Sequence, residues 1–438
     1  MKRVLILTYY WPPSGGSGVQ RWLKMSKYLP ENGWKPVIYT AENAEYPVED
    51  PSLEKDVCPE AEVLRRPIVE PYGLYKRIFG IQKEQKVKAG FIDESGQQTG
   101  WKARLSVWIR GNLFIPDARC WWIRPSFHYL RNYLKDHPVD ALVSTGPPHS
   151  MHLIARKLKR RLDIPWVADF RDPWTEIDYY DDLRLTRWAD RKQHRMERQV
   201  LTQADQVVAV GWDMAEGLRR LGAHDPAVIL NGYDQAPQVV SETALSTDFT
   251  ITHLGIVTPS RNNPALWTAL QELTETNELF RTKLRLRLIG QIDRSVLQEI
   301  KAHGLDPYVQ VVPYVPHEEV GAIQQSSQVL LLLVNRSANA KGILTGKLFE
   351  YLASGRPILC IGPEDGDAAR IIRETQAGTT VGFEAKDAMK ATLQDLFDRY
   401  REGKLATQAG QAAEPYSRRT LAAAYGKLLD QLTNRFQP

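Results

Sequence analysis

The sequence alternates short apolar segments with amphipathic segments, and it does so twice. The first half contains six apolar segments of strand length separated by helical patterns, and the second half contains six more. Strands that alternate with helices form parallel sheets, because each helix carries the chain back to the start of the next strand. The pattern therefore predicts an α/β fold with two doubly wound units, and a ligand cleft facing the carboxyl ends of their strands.

The boundary between the two predicted domains lies near Asn231-Gly-Tyr-Asp234, where the alternation pauses. At 438 residues the chain is too long for one ordinary hydrophobic core, which favours two domains. We predict an N-terminal domain at residues 1–235, a C-terminal domain at 236–417, and a mobile polar loop at 82–100. An amphipathic segment at 419–432 predicts a last helix that could pack on either domain.

The composition is typical of a soluble globular protein, with 43% hydrophobic and 25% charged residues. No apolar run approaches the roughly 20 residues that span a membrane. Cys58, Cys120 and Cys360 are far apart, so they indicate neither a metal cluster nor a disulfide framework, and we expect a cytoplasmic protein. The net charge of +5 is compatible with anionic phosphates or a membrane surface and does not require nucleic acid.

The segment Thr345–Ile358 carries the most specific site signal, since it predicts a short helix that ends at Gly355 and leads into a strand. Lys347 and Glu350 are three residues apart and share one helix face. A cation is unfavourable in the first turn of a helix unless an anion shares the site, and Glu350 can accept hydrogen bonds from hydroxyl groups. The pair is typical of a nucleotide or nucleotide-sugar site. The alternative is a solvated Lys–Glu pair on a surface helix.

Two predicted strand ends carry groups that suit a phosphate. Gly15, Gly16 and Gly18 follow the first strand and leave backbone N–H groups accessible. Their spacing matches neither the dinucleotide fingerprint nor a P-loop, and a plain glycine turn explains them equally well. Arg261 follows the first strand of the second half, where its planar guanidinium can clamp a diphosphate.

Two further loops of the first half present polar side chains after strands. His149 follows Gly146-Pro-Pro148 and can bond a substrate hydroxyl; the alternative is that Ser150 simply caps the next helix. Asp169 and Asp172 flank an arginine in the next such loop, and Asp172 is the stronger site candidate. The alternative there is a buried Arg–Asp pair that fixes the loop.

The stretch Val107–Leu134 interleaves aromatic and basic residues. This composition is typical of a membrane interface or of a site for a lipid phosphate, and it predicts contact with the cytoplasmic face of the inner membrane. Single-stranded nucleic acid fits less well, because no known binding module accompanies the stretch. The alternative is a helical subdomain with an aromatic core.

Together these segments resemble a family-4 glycosyltransferase of the GT-B fold, and the resemblance covers nearly the whole chain. Its landmarks are Gly15-Gly16, Asn231–Asp234, Gly255 to Arg261, Gly290, Val315-Pro-His-Glu318 and Lys347…Glu350…Gly355-Arg-Pro357. The loops around His149 and Asp172 resemble a bacterial branch that makes surface polysaccharides. The resemblance implies two Rossmann-like domains that face a central cleft, with residues 418–438 returning to the N-terminal domain.

The resemblance also implies the reaction and a donor site. A sugar would pass from a nucleoside diphosphate of UDP or GDP type to the acceptor with retention of anomeric configuration. Arg261 and Lys347 would neutralise the diphosphate, so that no metal is required, and Glu350 would bind the ribose hydroxyls. The glycines implied in donor binding are Gly15, Gly16, Gly255 and Gly290.

The acceptor side is implied to lie in the N-terminal domain. His149 and Asp172 would lie there, near the transferred sugar. The resemblance implies that the acceptor is a glycan or a lipid-linked molecule.

The chain departs from the family at two positions. Gly342 occupies the place, eight residues before Glu350, of a glutamate that grips the sugar in many relatives; we predict that backbone N–H groups of residues 342–344 replace it. A lysine expected shortly after Arg261 is also missing, which makes Lys347 more important. Two alternatives therefore stay open: a nucleotide-sugar epimerase of similar fold, and a catalytically silent scaffold that binds a glycan.

Overall fold

The structure is a computed structural model that describes residues 1–70, 101–234, 245–313, 315, 317–405 and 412–436. The predicted loop at 82–100 lies outside these residues, as does Pro316 of the predicted landmark at 315–318. The chain forms two compact units. The first unit comprises Met1–Asn231 and Arg418–Pro438, and the second comprises Gly232–Ser417, so the division falls four residues before the predicted boundary.

The first unit is built on a parallel sheet whose strands are β1 Lys2–Leu7, β2 Trp34–Ala41, β3 Glu62–Arg66, β4 Ala141–Gly146, β5 Trp166–Phe170, β6 Gln206–Ala209 and β7 Ala227–Val228. The strands pair in the order β3-β2-β1-β4-β5-β6-β7. Its helices are α1 Ser17–Tyr28, α2 Trp101–Leu113, α3 Ile123–Asp136, α4 Ser150–Leu162, α5 Arg187–Gln203 and α6 Trp212–Arg220. The strand order reverses between β1 and β4, and ligands bind beyond the carboxyl ends of strands at such a point.

The second unit contains a second parallel sheet, with strands β8 Phe249–Leu254, β9 Leu284–Ile289, β10 Val309–Val312, β11 Val329–Leu333, β12 Ile358–Ile361 and β13 Gly378–Val381. These strands pair in the order β10-β9-β8-β11-β12-β13. Its helices are α7 Pro264–Thr276, α8 Glu278–Lys283, α9 Arg294–Ala302, α10 His317–Ser326, α11 Gly346–Ser354, α12 Asp367–Glu374 and α13 Lys386–Arg401. The reversal here lies between β8 and β11.

The central strands are buried because helices cover both faces of each sheet. Residues 4–7 of β1 and 329–333 of β11 are at most 2% exposed, as expected for uninterrupted apolar runs in parallel sheets. Val4 of β1 lies between Pro36 of β2 and Ala141 of β4, so the three strands run in register. None of the helices in the described part of the chain combines the length and the apolar composition that a bilayer crossing requires.

The last helix, α14 (Arg418–Asn434), packs on the first unit. The rings of Tyr425 and Trp22 meet edge to face, with their centroids 5.0 Å apart. The Lys2 ammonium donates to Asp430 at 2.9 Å. The chain therefore leaves the first unit, forms the second and returns, which confirms the predicted fold class of two Rossmann-like domains with a returning C-terminal helix.

Candidate functional site

Lys347 lies in the first turn of α11, as predicted, and its side chain packs against Gly255, which in turn packs against Gly290. A Cβ atom placed on Gly255 would lie 2.0 Å from the Lys347 Nζ, so a larger residue would displace the ammonium group. Gly255 has a φ of +119°, which also favours glycine. A Cβ on Gly290 would lie 2.5 Å from the Gly255 carbonyl oxygen. The structure thus brings together three of the predicted donor-site residues.

The Lys347 ammonium is kept in an unfavourable electrostatic environment. Desolvation lowers its pKa to about 8, the Arg261 guanidinium acts in the same direction, and the Glu350 carboxylate acts against both. Within the described residues Lys347 makes no hydrogen bond or ion pair. Two neighbouring cations, one of them desolvated and unbonded, repel each other unless an anion binds between them. This arrangement suits a phosphate or diphosphate group.

Arg261 is oriented by hydrogen bonds from two of its N–H groups. It ends the short turn Pro259–Arg261 after β8. Its Nε donates to the Asn335 side-chain oxygen at 2.5 Å, and its Nη1 donates to the Ile256 carbonyl at 2.7 Å. Asn335 was not predicted. It follows β11, which pairs with β8, so a polar residue at the end of a neighbouring strand was the signal that could have identified it. These bonds fix the plane of the guanidinium.

The helix α11 presents Glu350 to solvent on the face that carries Lys347. The Tyr351 hydroxyl accepts the Leu254 N–H at 3.1 Å and so ties α11 to β8. Gly355, with a φ of +68°, ends the helix as predicted. Glu350 is therefore exposed on an anchored helix, where its carboxylate can accept hydrogen bonds from hydroxyl groups.

The backbone N–H groups predicted to replace the missing family glutamate are largely occupied. The Gly342 N–H donates to the Asn339 carbonyl at 3.0 Å, and the Ile343 N–H donates to the Ala340 carbonyl at 3.3 Å. Both groups belong to a tight turn that precedes α11. The prediction is therefore wrong for Gly342 and Ile343, and only Leu344 of the three stays a candidate.

His149 is buried at the start of α4 in the first unit. Its ring stacks on Trp174, with the centroids 4.4 Å apart and the planes at 4°. Its Nδ1 has no hydrogen-bond partner among the described residues, and a Cβ on Gly146 would lie 2.9 Å from that atom. Desolvation, with help from the neighbouring His152, lowers the pKa of His149 well below its ordinary value. The ring is therefore neutral at pH 7, and its Nδ1 is enclosed by the protein beside Gly146.

The alternative explanation of this loop, that Ser150 caps α4, is wrong. The Asp117 carboxylate accepts both the Ser150 N–H and the Ser150 hydroxyl, each at 2.8 Å. His149 is the N-cap residue but makes no capping hydrogen bond. Asp117 therefore caps the helix from a separate loop, and the His149 side chain is not needed for that purpose.

Asp169 is the buried residue of the predicted Asp-Phe-Arg-Asp motif. Its carboxylate accepts hydrogen bonds from Arg21 at 2.7 Å, from Trp22 at 2.9 Å and from Thr145 at 2.9 Å. Burial opposes ionisation of Asp169, but the charge of Arg21 and these hydrogen bonds outweigh it and lower its pKa. The predicted alternative of a buried Arg–Asp pair is correct in kind, but the arginine is Arg21 and not Arg171.

Arg171 instead joins the first turn of α1 to the loop that follows β4. Its guanidinium donates to the carbonyls of Gly18 and Pro147 and lies 5.5 Å from the centroid of the Tyr10 ring. Asp172, the next residue, is exposed. Desolvation by the surrounding protein raises the pKa of Asp172, and the charge of Arg171 acts in the opposite direction. The first unit thus brings His149, Asp172 and the glycine turn to one edge of its sheet.

The two adjacent glycines of that turn differ. The Gly15 N–H donates to the Val48 carbonyl at 2.9 Å, so it is used within the protein. Gly16 is the N-cap of α1 with a φ of +80°, and no side chain caps the helix there. The backbone at Gly16 stays the better candidate for contact with an anion.

The aromatic–basic stretch 107–134 divides into buried and exposed residues. Trp122 is 2% exposed and stacks on Tyr39 with the ring centroids 5.0 Å apart. Arg119 is also buried. Trp108 and Trp121, in contrast, are 40% and 49% exposed. The stretch therefore contributes to an aromatic core, as the alternative predicted, and also forms an exposed aromatic edge, for which membrane contact stays a prediction.

A family model links the first unit to known proteins. Residues 15–232 match the model described as "Glycosyl transferase 4-like domain". This segment is a glycosyl transferase 4-like domain. It contains the glycine turn, His149 and Asp172. No sequence among curated proteins matches the chain significantly.

Solved structures extend the likeness of this domain to the fold of the whole chain. A glycosyltransferase from Rickettsia africae ESF-5 has a TM-score of 0.62 at 12% identity over 98% of both chains. Alr3699/HepE from Anabaena in complex with UDP has a TM-score of 0.60 at 12% identity, over 98% of this chain and 100% of that chain. These likenesses confirm the GT-B fold.

The fold alone does not select a reaction. A putative UDP-N-acetylglucosamine 2-epimerase from Listeria monocytogenes has a TM-score of 0.52 at 11% identity, over 99% of this chain and 96% of that chain. Transferases and an epimerase thus share the architecture. The glycosyl transferase 4-like domain at 15–232 is the finding that favours transfer.

Proposed function

We propose that this chain is a retaining glycosyltransferase that moves a sugar from a nucleoside-diphosphate sugar, of UDP or GDP type, to a glycan or lipid-linked acceptor in cell-surface polysaccharide synthesis. The observation that carries the proposal is the desolvated, unbonded Lys347 ammonium beside Arg261 at a glycine-lined strand end. The glycosyl transferase 4-like domain and the UDP complex of a protein with the same fold support it.

In the proposed donor site, Arg261 and Lys347 bind the diphosphate. Negative charge grows on the leaving phosphate as the bond to the anomeric carbon breaks, and fixed cations stabilise that charge without having to reorganise. Loss of one such group costs about 3 kcal/mol, or about a hundredfold in rate. Glu350 accepts hydrogen bonds from the ribose hydroxyls, and the Gly16 backbone approaches the donor phosphate or sugar.

In the proposed reaction, the acceptor oxygen bonds to the anomeric carbon on the face from which the diphosphate departs. The leaving phosphate oxygen takes the proton of the acceptor hydroxyl, so atoms and charge balance without a protein nucleophile. Neutral His149 lies near the acceptor or the transferred sugar and helps to orient it, and Asp172 binds hydroxyl groups nearby. The contribution of the protein is positioning and charge stabilisation.

A donor screen with product analysis tests the proposal. The purified protein is incubated with UDP-glucose, UDP-galactose, UDP-N-acetylglucosamine or GDP-mannose and a glycan or lipid-linked acceptor fraction. Mass spectrometry identifies the product, and NMR gives its anomeric configuration. We expect Lys347→Ala and Glu350→Ala to abolish transfer while circular dichroism shows a retained fold, and the exposed Lys301→Ala to be fully active. Fully active site variants would contradict the proposal, as would epimerisation of the donor without transfer.

A further inference from the structure

The excess positive charge of the chain is concentrated on three helices of the first unit. The helices α3, α4 and α5 contain thirteen Lys and Arg but only three Asp and Glu, a net charge of +10. The whole chain carries +5, so the rest of the sequence carries −5. The helix α4 packs against both α3 and α5, and right-handed crossovers place all three on one face of the sheet. We call their exposed side the cationic face.

The arginines of the cationic face are close together and unpaired. The pKa of Arg156 is lowered by burial and by the charges of Arg160 and Arg195, which places guanidinium groups of α4 and α5 next to one another. Arg156 itself donates to Gln203. In the part of the chain that the structure describes, Arg160, Arg191 and Arg195 form no ion pair with a carboxylate. Mutual repulsion of this kind favours binding of an extended anionic surface.

Exposed tryptophans border the cationic face at one end. Trp188, the second residue of α5, is 64% exposed, and the Lys192 ammonium lies 4.6 Å from the centroid of its ring. Trp121, 49% exposed, lies in the short turn that leads into α3. Both residues stand at helix starts, and therefore at the carboxyl edge of the sheet, where His149 and Asp172 also lie.

We propose that the cationic face and its two bordering tryptophans dock on a bilayer that contains anionic lipids. Cations of a helical surface are attracted to anionic headgroups, and tryptophan side chains favour the headgroup region, where one part of the ring is apolar and the other polar. A single-stranded nucleic acid could stack its bases on exposed tryptophans, but proteins bind such strands in a charged groove, whereas the charge here is spread over three helices. The surface extends well beyond the predicted stretch 107–134, because α4 and α5 lie outside it.

The docked orientation places the site edge of the first unit next to the headgroups. A lipid-linked acceptor would then reach His149 and Asp172 without leaving the bilayer. Membrane docking itself is independent of sugar transfer; only this link to the acceptor rests on the proposed function.

Flotation with vesicles tests the docking. The purified full-length protein is mixed with vesicles of phosphatidylcholine alone or with about one third phosphatidylglycerol, at low and high salt. We expect binding to the anionic vesicles only, weakened by salt. The combined variant Arg160→Gln, Arg161→Gln, Arg191→Gln and Arg195→Gln is expected to bind on the order of a thousandfold more weakly. The pair Trp121→Ala and Trp188→Ala is expected to weaken binding as well.

A matched control removes the same charge elsewhere. It combines Arg281→Gln, Arg294→Gln, Lys301→Gln and Lys404→Gln, all exposed residues of the second unit. The control is expected to float like the unchanged protein, and both charge variants are expected to keep their circular dichroism spectra and their nucleotide binding. An equal loss in the control, no binding to anionic vesicles, or displacement from vesicles by a single-stranded oligonucleotide would overturn the proposal.

Discussion

Two cations that the protein shields from water, the buried Arg21 in the first unit and the half-buried Lys347 in the second, differ in how their charges are satisfied. Arg21 donates to the Asp169 carboxylate, to the Leu230 carbonyl and to the Asn231 side chain. Lys347 has no such partner within the described residues, and its pKa is lowered to about 8. A fold depends on each partner of a buried charge pair, because removal of one partner leaves the other charge uncompensated, whereas a shielded charge held without partners is typical of a ligand site. The comparison predicts that removing the partner of Arg21 lowers stability, whereas removing the charge of Lys347 lowers activity and leaves stability intact.

The largest effect is expected on stability, when Arg21 loses its partner Asp169. Asp169→Ala leaves that arginine buried and unpaired, so the free energy of unfolding of the first unit should fall by about 3–5 kcal/mol. Eleven of the twelve tryptophans belong to the first unit, and tryptophan fluorescence in a urea titration therefore reports its unfolding. The exposed Asp172→Ala should change that free energy by no more than about 0.5 kcal/mol. Equal losses of stability in Asp169→Ala and Asp172→Ala would show that the buried Arg21–Asp169 pair has no special structural role.

The next effect is expected at Lys347. Lys347→Met removes a desolvated charge, so we expect no loss of stability, while the rate of transfer falls about a hundredfold, or about 3 kcal/mol. Steady-state kinetics and a urea titration of the same preparation measure both quantities. The exposed Lys301→Met serves as the control and should change neither. A variant that unfolds more easily but transfers normally would show that Lys347 is structural.

The pH dependence of stability and of nucleotide affinity is a further test of the unpartnered Lys347 ammonium. The pKa of Lys347 is about 8 in the folded protein and about 10.4 in an unfolded chain, so between these values the unfolded state binds more protons. Stability of the ligand-free protein should therefore rise as the pH increases from 8 to 10, and this rise should vanish in Lys347→Met. Affinity for UDP or GDP should fall about tenfold from pH 7 to pH 9, as the ammonium loses its proton. Calorimetry at the two pH values measures the change, and a constant affinity would contradict the assignment.

The smallest effect is expected at Asn335, which orients Arg261 through one hydrogen bond. Loss of a hydrogen bond to a charged group costs about 1.5 kcal/mol, so kcat/KM of Asn335→Ala should fall about tenfold. Asn132, exposed in the first unit, offers a matched Asn→Ala control. A loss confined to KM for the acceptor, with unchanged nucleotide affinity, would show that Asn335 does not act through Arg261.

The fold was largely predictable because its signals are local. Apolar runs of four to six residues between helical patterns identified twelve of the thirteen strands. The exception, β7, is two residues long and carries no recognisable run. The packing of α14 followed from the family resemblance and not from its amphipathic pattern, which fits either unit.

The geometry of the candidate site was predictable only where its groups lie on one element. Lys347 and Glu350 lie on α11 and Gly355 ends it, as helical spacing predicted. The partners that define the other groups lie far away in the sequence: Arg21 is 148 residues from Asp169, Asn335 is 74 from Arg261, and Asp117 is 33 from Ser150. Strand order decides which loops meet, and sequence spacing does not contain that information.

The central claim is that the second unit binds a nucleoside diphosphate at Lys347. Calorimetric titration of the purified protein with UDP, GDP and ADP, repeated on Lys347→Met and Glu350→Ala, tests it most directly. We predict micromolar binding of one nucleotide by the unchanged protein and its loss in both variants. Absence of binding for all three nucleotides would contradict the claim and would favour a catalytically silent scaffold. Binding by the two variants as tight as that of the unchanged protein would contradict it as well.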